Sequence, residues 1–193
     1  MQNQNKQVLV PVGDGCEEIE TVAIIDILRR ANIDVTFASI KPVEDEKAPL
    51  IVGRSGISFI CDTYLTETVL KQQFDLIALP GGLSNAQSLG THQPLLDRLR
   101  QQQEEGKWIA AICASPQLVL DKNGFMINST GTCHPAHVQD YKGQFSEDRV
   151  HVSNKFITSR SPGTAIEFAL ALVELLVDQH TAVQLAKSLL VKR

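Results

Sequence analysis

The stretch KWIAAICASPQLVL, residues 107–120, decides how the chain folds. An apolar run leads into Cys113, and a helix-like pattern with Pro116 in its first turn follows at once. Such a run reads as a strand buried on both faces, as in parallel sheets. Proline is tolerated at the start of a helix, where its missing N–H is not needed. The cysteine therefore falls on the junction itself. A strand-to-helix turn of this kind holds a side chain out at its tip, as in a nucleophile elbow. The free N–H groups and partial positive charge of a helix N-terminus favour a thiolate. The reading expects an exposed Cys113 with a lowered pKa. A buried, inert cysteine fits the same position equally well.

Outward from this junction the chain alternates between strand-like and helix-like runs. QVLVPV (7–12), DVTFASI (34–40) and FDLIALPGG (74–82) read as strands, the last ending in a glycine loop. LIVGRSGISFICD (50–62) reads as a hairpin turning at Arg54-Ser55-Gly56, and RVHVSNKFITSRSPG (149–163) as two short strands turning near Ser153-Asn154. EEIETVAIIDILRRA (17–31) reads as a helix whose core stripe is Ile19, Val22, Ala23, Leu28 and Ala31. QPLLDRLRQQQEEG (93–106) reads as a helix closed by Gly106. SPQLVLDK (115–122) and TAVQLAKSLL (181–190) are also helical. TAIEFALALVELLVDQ (164–179) is strongly amphipathic, with Ile166, Ala169, Leu170, Val173 and Val177 on one face. Alternation of this kind implies a mostly parallel sheet covered on both faces by right-handed crossovers, a three-layer α/β/α sandwich. Such sheets carry their sites at the carboxyl ends of the strands. That selects the loop after QVLVPV, the loop after LIALP, and Cys113.

The 193 residues suit one domain over 1–193, with 1–5 a polar flexible tail. A net charge of -4 with no basic cluster argues against a nucleic-acid surface. No apolar stretch approaches the roughly 20 residues that span a bilayer, and the polar start lacks a secretory core. Four cysteines without CxxC spacing are expected as free thiols in a reducing cytoplasm.

Three further motifs bear on chemistry. In LPGGL (79–83), paired glycines let the backbone approach a ligand. The N–H groups of Gly82 and Ala114 together can form an oxyanion hole beside the sulfur. A plain strand-ending turn is the competing reading. GDGCEEIET (13–21) opens a helix with Glu17, Glu18 and Glu20. Glu17 and Glu18 read as solvated partners of the helix dipole. Glu20, one position past the apolar Ile19, can point back over the strand ends, but taken alone it reads as a surface carboxylate. GTCHPAHVQDY (131–141) brings Cys133, His134 and His137 close in sequence. A metal site there would lack a fourth ligand, so no metal is expected. His134 paired with a distant cysteine is the stronger reading. The chain has no GxGxxG or GxxxxGK[ST], so no nucleotide or flavin cofactor is expected.

GCEEIET, LPGG, AAICASP, TCHP and TSRSPGTAIEFALALVELL recur in this order in the ThiJ/PfpI superfamily. The chain resembles that superfamily from about residue 6 to 177. Within it, the chain is most similar to the branch of the parkinsonism-associated protein deglycase and its bacterial relatives. The resemblance implies a flavodoxin-like sandwich of the class I glutamine amidotransferase-like kind, and a homodimer. It implies a reactive cysteine at Cys113, a glutamate beside the sulfur at Glu20, oxyanion donors at Gly82 and Ala114, and a nearby histidine at His134. The hairpin near Arg54 does not align with the family, so no role is carried to it. Ser115, Ser161 and Cys133 depart from the usual residues. Cys133 reads as a possible second redox thiol, and the departures bear on substrate preference.

The implied activity is a cofactor-free glyoxalase or protein deglycase acting on methylglyoxal, related dicarbonyls or their adducts. A redox sensor or redox-regulated chaperone acting through Cys113 oxidation is the alternative. A cysteine peptidase or amidase is disfavoured, because Ser115 stands where that branch is similar in carrying a histidine. A flavin-binding module lacks its phosphate loop.

Overall fold

The computed structural model describes residues 5–43 and 48–191. Of the expected tail, residues 1–4 lie outside the described residues. In chain order the elements are β1 (Gln7–Val12), α1 (Glu18–Arg30), β2 (Asp34–Ser39), β3 (Leu50–Val52), β4 (Ser58–Ile60), β5 (Thr63–Tyr64), α2 (Glu67–Leu70), β6 (Leu76–Leu79), α3 (Leu83–Leu89), α4 (Gln93–Glu104), β7 (Trp108–Ile112), a π-helical turn (Pro116–Asp121), β8 (Thr130–Gly131), a 3-10 turn (Pro135–Asp140), β9 (Gln144–Phe145), β10 (Val150–Ser153), β11 (Phe156–Ser159), a second 3-10 turn (Pro162–Thr164), α5 (Ala165–Leu176) and α6 (Gln179–Ser188).

Seven strands form one sheet in the order β10-β11-β7-β6-β1-β2-β5. All neighbours are parallel except the edge pair β10–β11. The strands are buried on both faces because consecutive residues feed opposite layers. Val8, Val10 and Val12 of β1, Leu76 and Ala78 of β6, and Ala110 and Ile112 of β7 pack with α1, α5 and α6. Leu9, Ile77, Leu79, Ile109 and Ala111 pack with α2, α4 and the π-helical turn. Each such Val, Leu or Ile stabilises the fold by roughly 1.5–3 kcal/mol through burial. The result is the expected α/β/α sandwich of flavodoxin-like kind. The order β7-β6-β1 sets three carboxyl ends side by side, and these are the three loops the strand-end rule selects.

Both expected hairpins form. β3 and β4 pair antiparallel around Arg54-Ser55-Gly56, with Val52 opposite Ser58. β10 and β11 turn through Asn154 and Lys155, both at positive φ (47° and 68°), as a tight primed turn requires.

Two helix faces differ from expectation. In α1 the core side is Ile24, Ile27 and Leu28, together with Glu20 and Thr21, whereas Ile19 and Val22 are 58% and 49% exposed. In α5 Ala169, Leu170 and Val173 are buried as expected, but Ile166 is exposed, and Val177 lies past the helix end, also exposed. The run 115–122 winds as a π-helical turn rather than an ordinary α-helix.

Candidate active site

The site is built on backbone strain. Cys113 follows the last residue of β7 with φ 66°, in the left-handed region that non-glycine residues enter at a cost of about 1–3 kcal/mol. Its neighbours hold it there. The Cys113 N–H donates to the Ser159 carbonyl at 3.0 Å, which belongs to β11, and the Cys113 carbonyl accepts the His134 N–H at 2.8 Å.

The sulfur is not held out in solvent as the elbow suggests. Cys113 is 8% exposed and opens onto a cavity of about 480 Å³. Burial and then the charge of Glu20 push its thiol up to about 12, against the N–H groups of Gly82 and Ala114, which pull it down. The expectation of a pKa lowered by the elbow alone is therefore reversed.

Glu20 does not face solvent: it is fully buried in the first turn of α1. Its Oε2 accepts the Gly81 N–H at 2.8 Å. Its Oε1 has no conventional hydrogen-bond partner among the described residues. The carboxyl and the Cys113 thiol act directly on one another. Burial, and then the Glu17 charge, push Glu20 up to about 8, against the Gly81 N–H. At neutral pH Glu20 thus holds its proton. A neutral Glu20 removes its charge from the sulfur and offers a donor instead, the condition under which a thiolate forms here.

Glycine is required where the acid and the thiol meet. A Cβ on Gly81 would lie 2.5 Å from both Cys113 Cβ and Glu20 Oε2. Gly82, with φ 87°, would drive a Cβ into the Gly15 carbonyl.

Glu17 and Glu18 are also buried rather than solvated. Glu17 caps α1 by accepting the Glu20 N–H at 2.8 Å. Glu18 Oε1 accepts the Ser55 N–H at 2.5 Å. Burial pushes the Glu18 carboxyl up, yet the N–H groups of Ser55 and Ile57 hold it below the usual carboxylate range. Glu18 thereby ties the β3–β4 turn to α1 and sets Arg54 at the cavity. Arg54, to which no role was carried from sequence, has no side-chain hydrogen bond or ion pair among the described residues. Its place was hidden because it comes from a separate hairpin folded over the strand ends.

His134 lines the same cavity and caps the first 3-10 turn, its Nδ1 accepting the Ala136 N–H at 3.2 Å. Burial first, then His137, Arg54 and Arg160, lower its pKa, so the ring is neutral at pH 7. With Nδ1 accepting, the neutral ring carries its proton on Nε2 and serves as a donor.

Cys133, read as a second redox thiol, is fully buried and, unlike Cys113, does not line the cavity; burial pushes it up to about 12. Ser115 is fully buried and donates to the Pro80 carbonyl at 2.6 Å, so it shapes a loop rather than the cavity wall. Among the described residues no three His, Cys, Asp or Glu side chains gather to hold a metal ion.

A thiol on a strained elbow, backed by a buried acid at the carboxyl ends of a parallel sheet, is the arrangement of cysteine-elbow α/β proteins. The chain belongs to the DJ-1/PfpI family, which it matches over residues 6–175. It is 40% identical over 186 residues to protein DJ-1 homolog B of Arabidopsis thaliana, covering 96% of this chain. The chain spans less than half the length of the two Arabidopsis relatives, 41% of homolog B and 46% of homolog A. It is 34% identical to the glutathione-independent glyoxalase DJR-1.2 of Caenorhabditis elegans, with 94% of each chain covered. The structure of oxidized Toxoplasma gondii DJ-1 superposes with a TM-score of 0.91 at 37% identity, covering 97% of this chain and 100% of that one.

Proposed function

We propose that the chain is a cysteine-dependent, cofactor-free glyoxalase that converts methylglyoxal to lactate and acts on related dicarbonyls or their adducts. The observation that carries this reading is the buried acid, raised to about 8, set against the Cys113 sulfur. The relative named as a glutathione-independent glyoxalase supports it.

The Cys113 thiolate adds to the aldehyde carbon, and the carbonyl electrons move to oxygen. The Gly82 and Ala114 N–H groups hold that oxyanion. Glu20 gives its proton to the oxygen and becomes the base. It takes the C1 hydrogen as a proton, the C–H electrons moving through C2 to its oxygen as an enediolate. The C1 hydroxyl proton passes to the C2 oxygen and Glu20 returns its proton to C2, leaving a lactoyl thioester. Water then adds to the thioester, the sulfur leaves as thiolate, and Glu20 recovers a proton. His134 donates to the substrate oxygens, and Arg54 faces the carboxylate that forms. The sum is methylglyoxal plus water to lactate and one proton.

The test is lactate production from methylglyoxal by the purified chain without glutathione. Stereospecific lactate at a steady rate is expected, and no turnover above buffer sinks the reading. A second reading, a redox sensor or redox-regulated chaperone, is favoured by the same neutral acid, since a protonated Glu20 can donate to a Cys113 sulfinate and halt oxidation there. A stable two-oxygen adduct on Cys113 alone, with no lactate formed, would select it.

The chain acts as a single domain and as a homodimer in a reducing cytosol, where its four free cysteines persist. No described helix is long and apolar enough to cross a membrane. The dimer face we assign is the apolar groove of about 470 Å³ between α1 and the β3–β4 hairpin, where Ile19, Val22, Ile57 and Ile166 are exposed. A two-fold interface meets each substitution twice. Val22→Asp is expected to weaken the dimer roughly a hundredfold or more. Light scattering checks this, and a native chain that is monomeric at micromolar concentration contradicts it.

A further inference from the structure

We propose that Asn85 is a positioning residue that aims the Gly81 and Gly82 N–H groups at Glu20 and Cys113. The inference rests on the roles assigned to those two residues above. Asn85 lies in α3, makes no contact with the cavity, and is fully buried. Its Nδ2 donates to the Pro80 carbonyl at 2.9 Å and to the Gly81 carbonyl at 3.0 Å. Its Oδ1 accepts the Gly13 N–H at 2.7 Å, just past the end of β1. With two carbonyl acceptors on one side and an N–H donor on the other, the orientation of the amide is fixed by its partners.

Each of these carbonyls has a second donor. The Pro80 carbonyl also accepts from Ser115 Oγ at 2.6 Å, and the Gly81 carbonyl also accepts the Glu17 N–H at 3.1 Å. Both peptide planes flanking Gly81 are therefore pinned at their oxygens. In a trans peptide the C=O and N–H point in opposite directions. Pulling the Pro80 oxygen toward Asn85 and Ser115 turns the Gly81 N–H toward Glu20 Oε2, where it bonds at 2.8 Å. Pulling the Gly81 oxygen toward Asn85 and the Glu17 N–H turns the Gly82 N–H toward the sulfur. Glycines have no side chain with which to hold such planes, and Gly82 sits at φ 87°. One buried amide thus sets two of the donors the chemistry needs and ties them to the strand that leads into the helix of Glu20.

The test is Asn85→Ala, read by the pH dependence of iodoacetamide alkylation at Cys113 and by the methylglyoxal constants. The Gly82 N–H stabilises the Cys113 thiolate, so its misdirection raises the pH of half-maximal alkylation, by about one unit. The expected kcat falls at least roughly tenfold with KM within about threefold, as for an oxyanion donor moved out of line. Asn123→Ala is the control. Asn123 also bridges two carbonyls, those of Gly90 and Val119, but away from the sulfur, so its loss costs stability without moving the alkylation profile. A folded Asn85→Ala whose profile matches the native chain overturns the proposal. Where Asn85→Ala does not fold, Asn85→Leu takes its place. It keeps the side chain's bulk and removes both donors to the Pro80 and Gly81 carbonyls, and an unmoved profile there overturns the proposal equally. Alkylation is measured without substrate, so a chain that makes no lactate still tests the clamp while failing the glyoxalase reading.

Discussion

Cys113→Ser is expected to lower methylglyoxal turnover on the order of 10⁴-fold or more, as removal of a covalent nucleophile does elsewhere. The change is nearly isosteric. The Ser159 carbonyl and the His134 N–H hold the residue through its backbone, so the elbow persists. The hydroxyl, however, ionises far above the working pH, and the neutral Glu20 cannot make it a competent nucleophile. Thermal unfolding should move little, which separates a chemical defect from a folding one. Lactate formation by Cys113→Ser at even a tenth of the native rate would remove the sulfur from the chemistry. Cys16 and Cys61 do not offer a substitute, because both are buried and neither lines the cavity onto which Cys113 opens.

Glu20→Gln carries two expected effects of opposite benefit. Turnover falls by roughly a thousandfold, since an amide can hold the Gly81 N–H but cannot move a proton between C1 and C2. Stability, in contrast, rises at alkaline pH. Glu20 is raised from 4.5 to about 8 in the folded chain. Below pH about 4.5 both folded and unfolded chains hold the proton, and pH has no effect through this group. Between 4.5 and about 8 the unfolded chain releases it while the folded chain keeps it, so stability falls as pH rises. Above about 8 the loss is complete. Glutamine does not titrate, so the variant escapes this loss. At pH 8.5 it should exceed the native chain by about 3–5 kcal/mol in denaturant unfolding, and at pH 4.5 by little. An equal difference at both pH values would mean that Glu20 is ionised in the folded state throughout.

Much of this was legible in the residues. The runs QVLVPV, LIAL and WIAAI declare buried parallel strands, and the position of Cys113 at the end of one of them declares an elbow. What stayed hidden follows from how the chain spends its apolar surface. Helix α1 carries apolar residues on two sides, Ile24, Ile27 and Leu28 toward the core and Ile19 and Val22 outward. Periodicity cannot say which stripe faces the sheet and which faces a second copy. Glu20 reads as a surface carboxylate because acids are common in first turns, and its burial depends on a loop from β6 closing over it. The π-helical turn after Cys113 has the composition of an ordinary helix. Arg54 lines the site from a hairpin and Asn85 braces its glycine loop from a short helix, and neither sequence carries a chemical motif. Their roles arise only when the strand order β7-β6-β1 places the three loops side by side.

Native mass spectrometry of Glu20→Gln mixed with methylglyoxal, followed by localisation of the adduct, tests the pairing of sulfur and acid most directly. The expected result is a single methylglyoxal mass on Cys113 that accumulates without lactate, because addition proceeds and proton transfer stops. Lactate released at the native rate, or an adduct that spares Cys113, would contradict it.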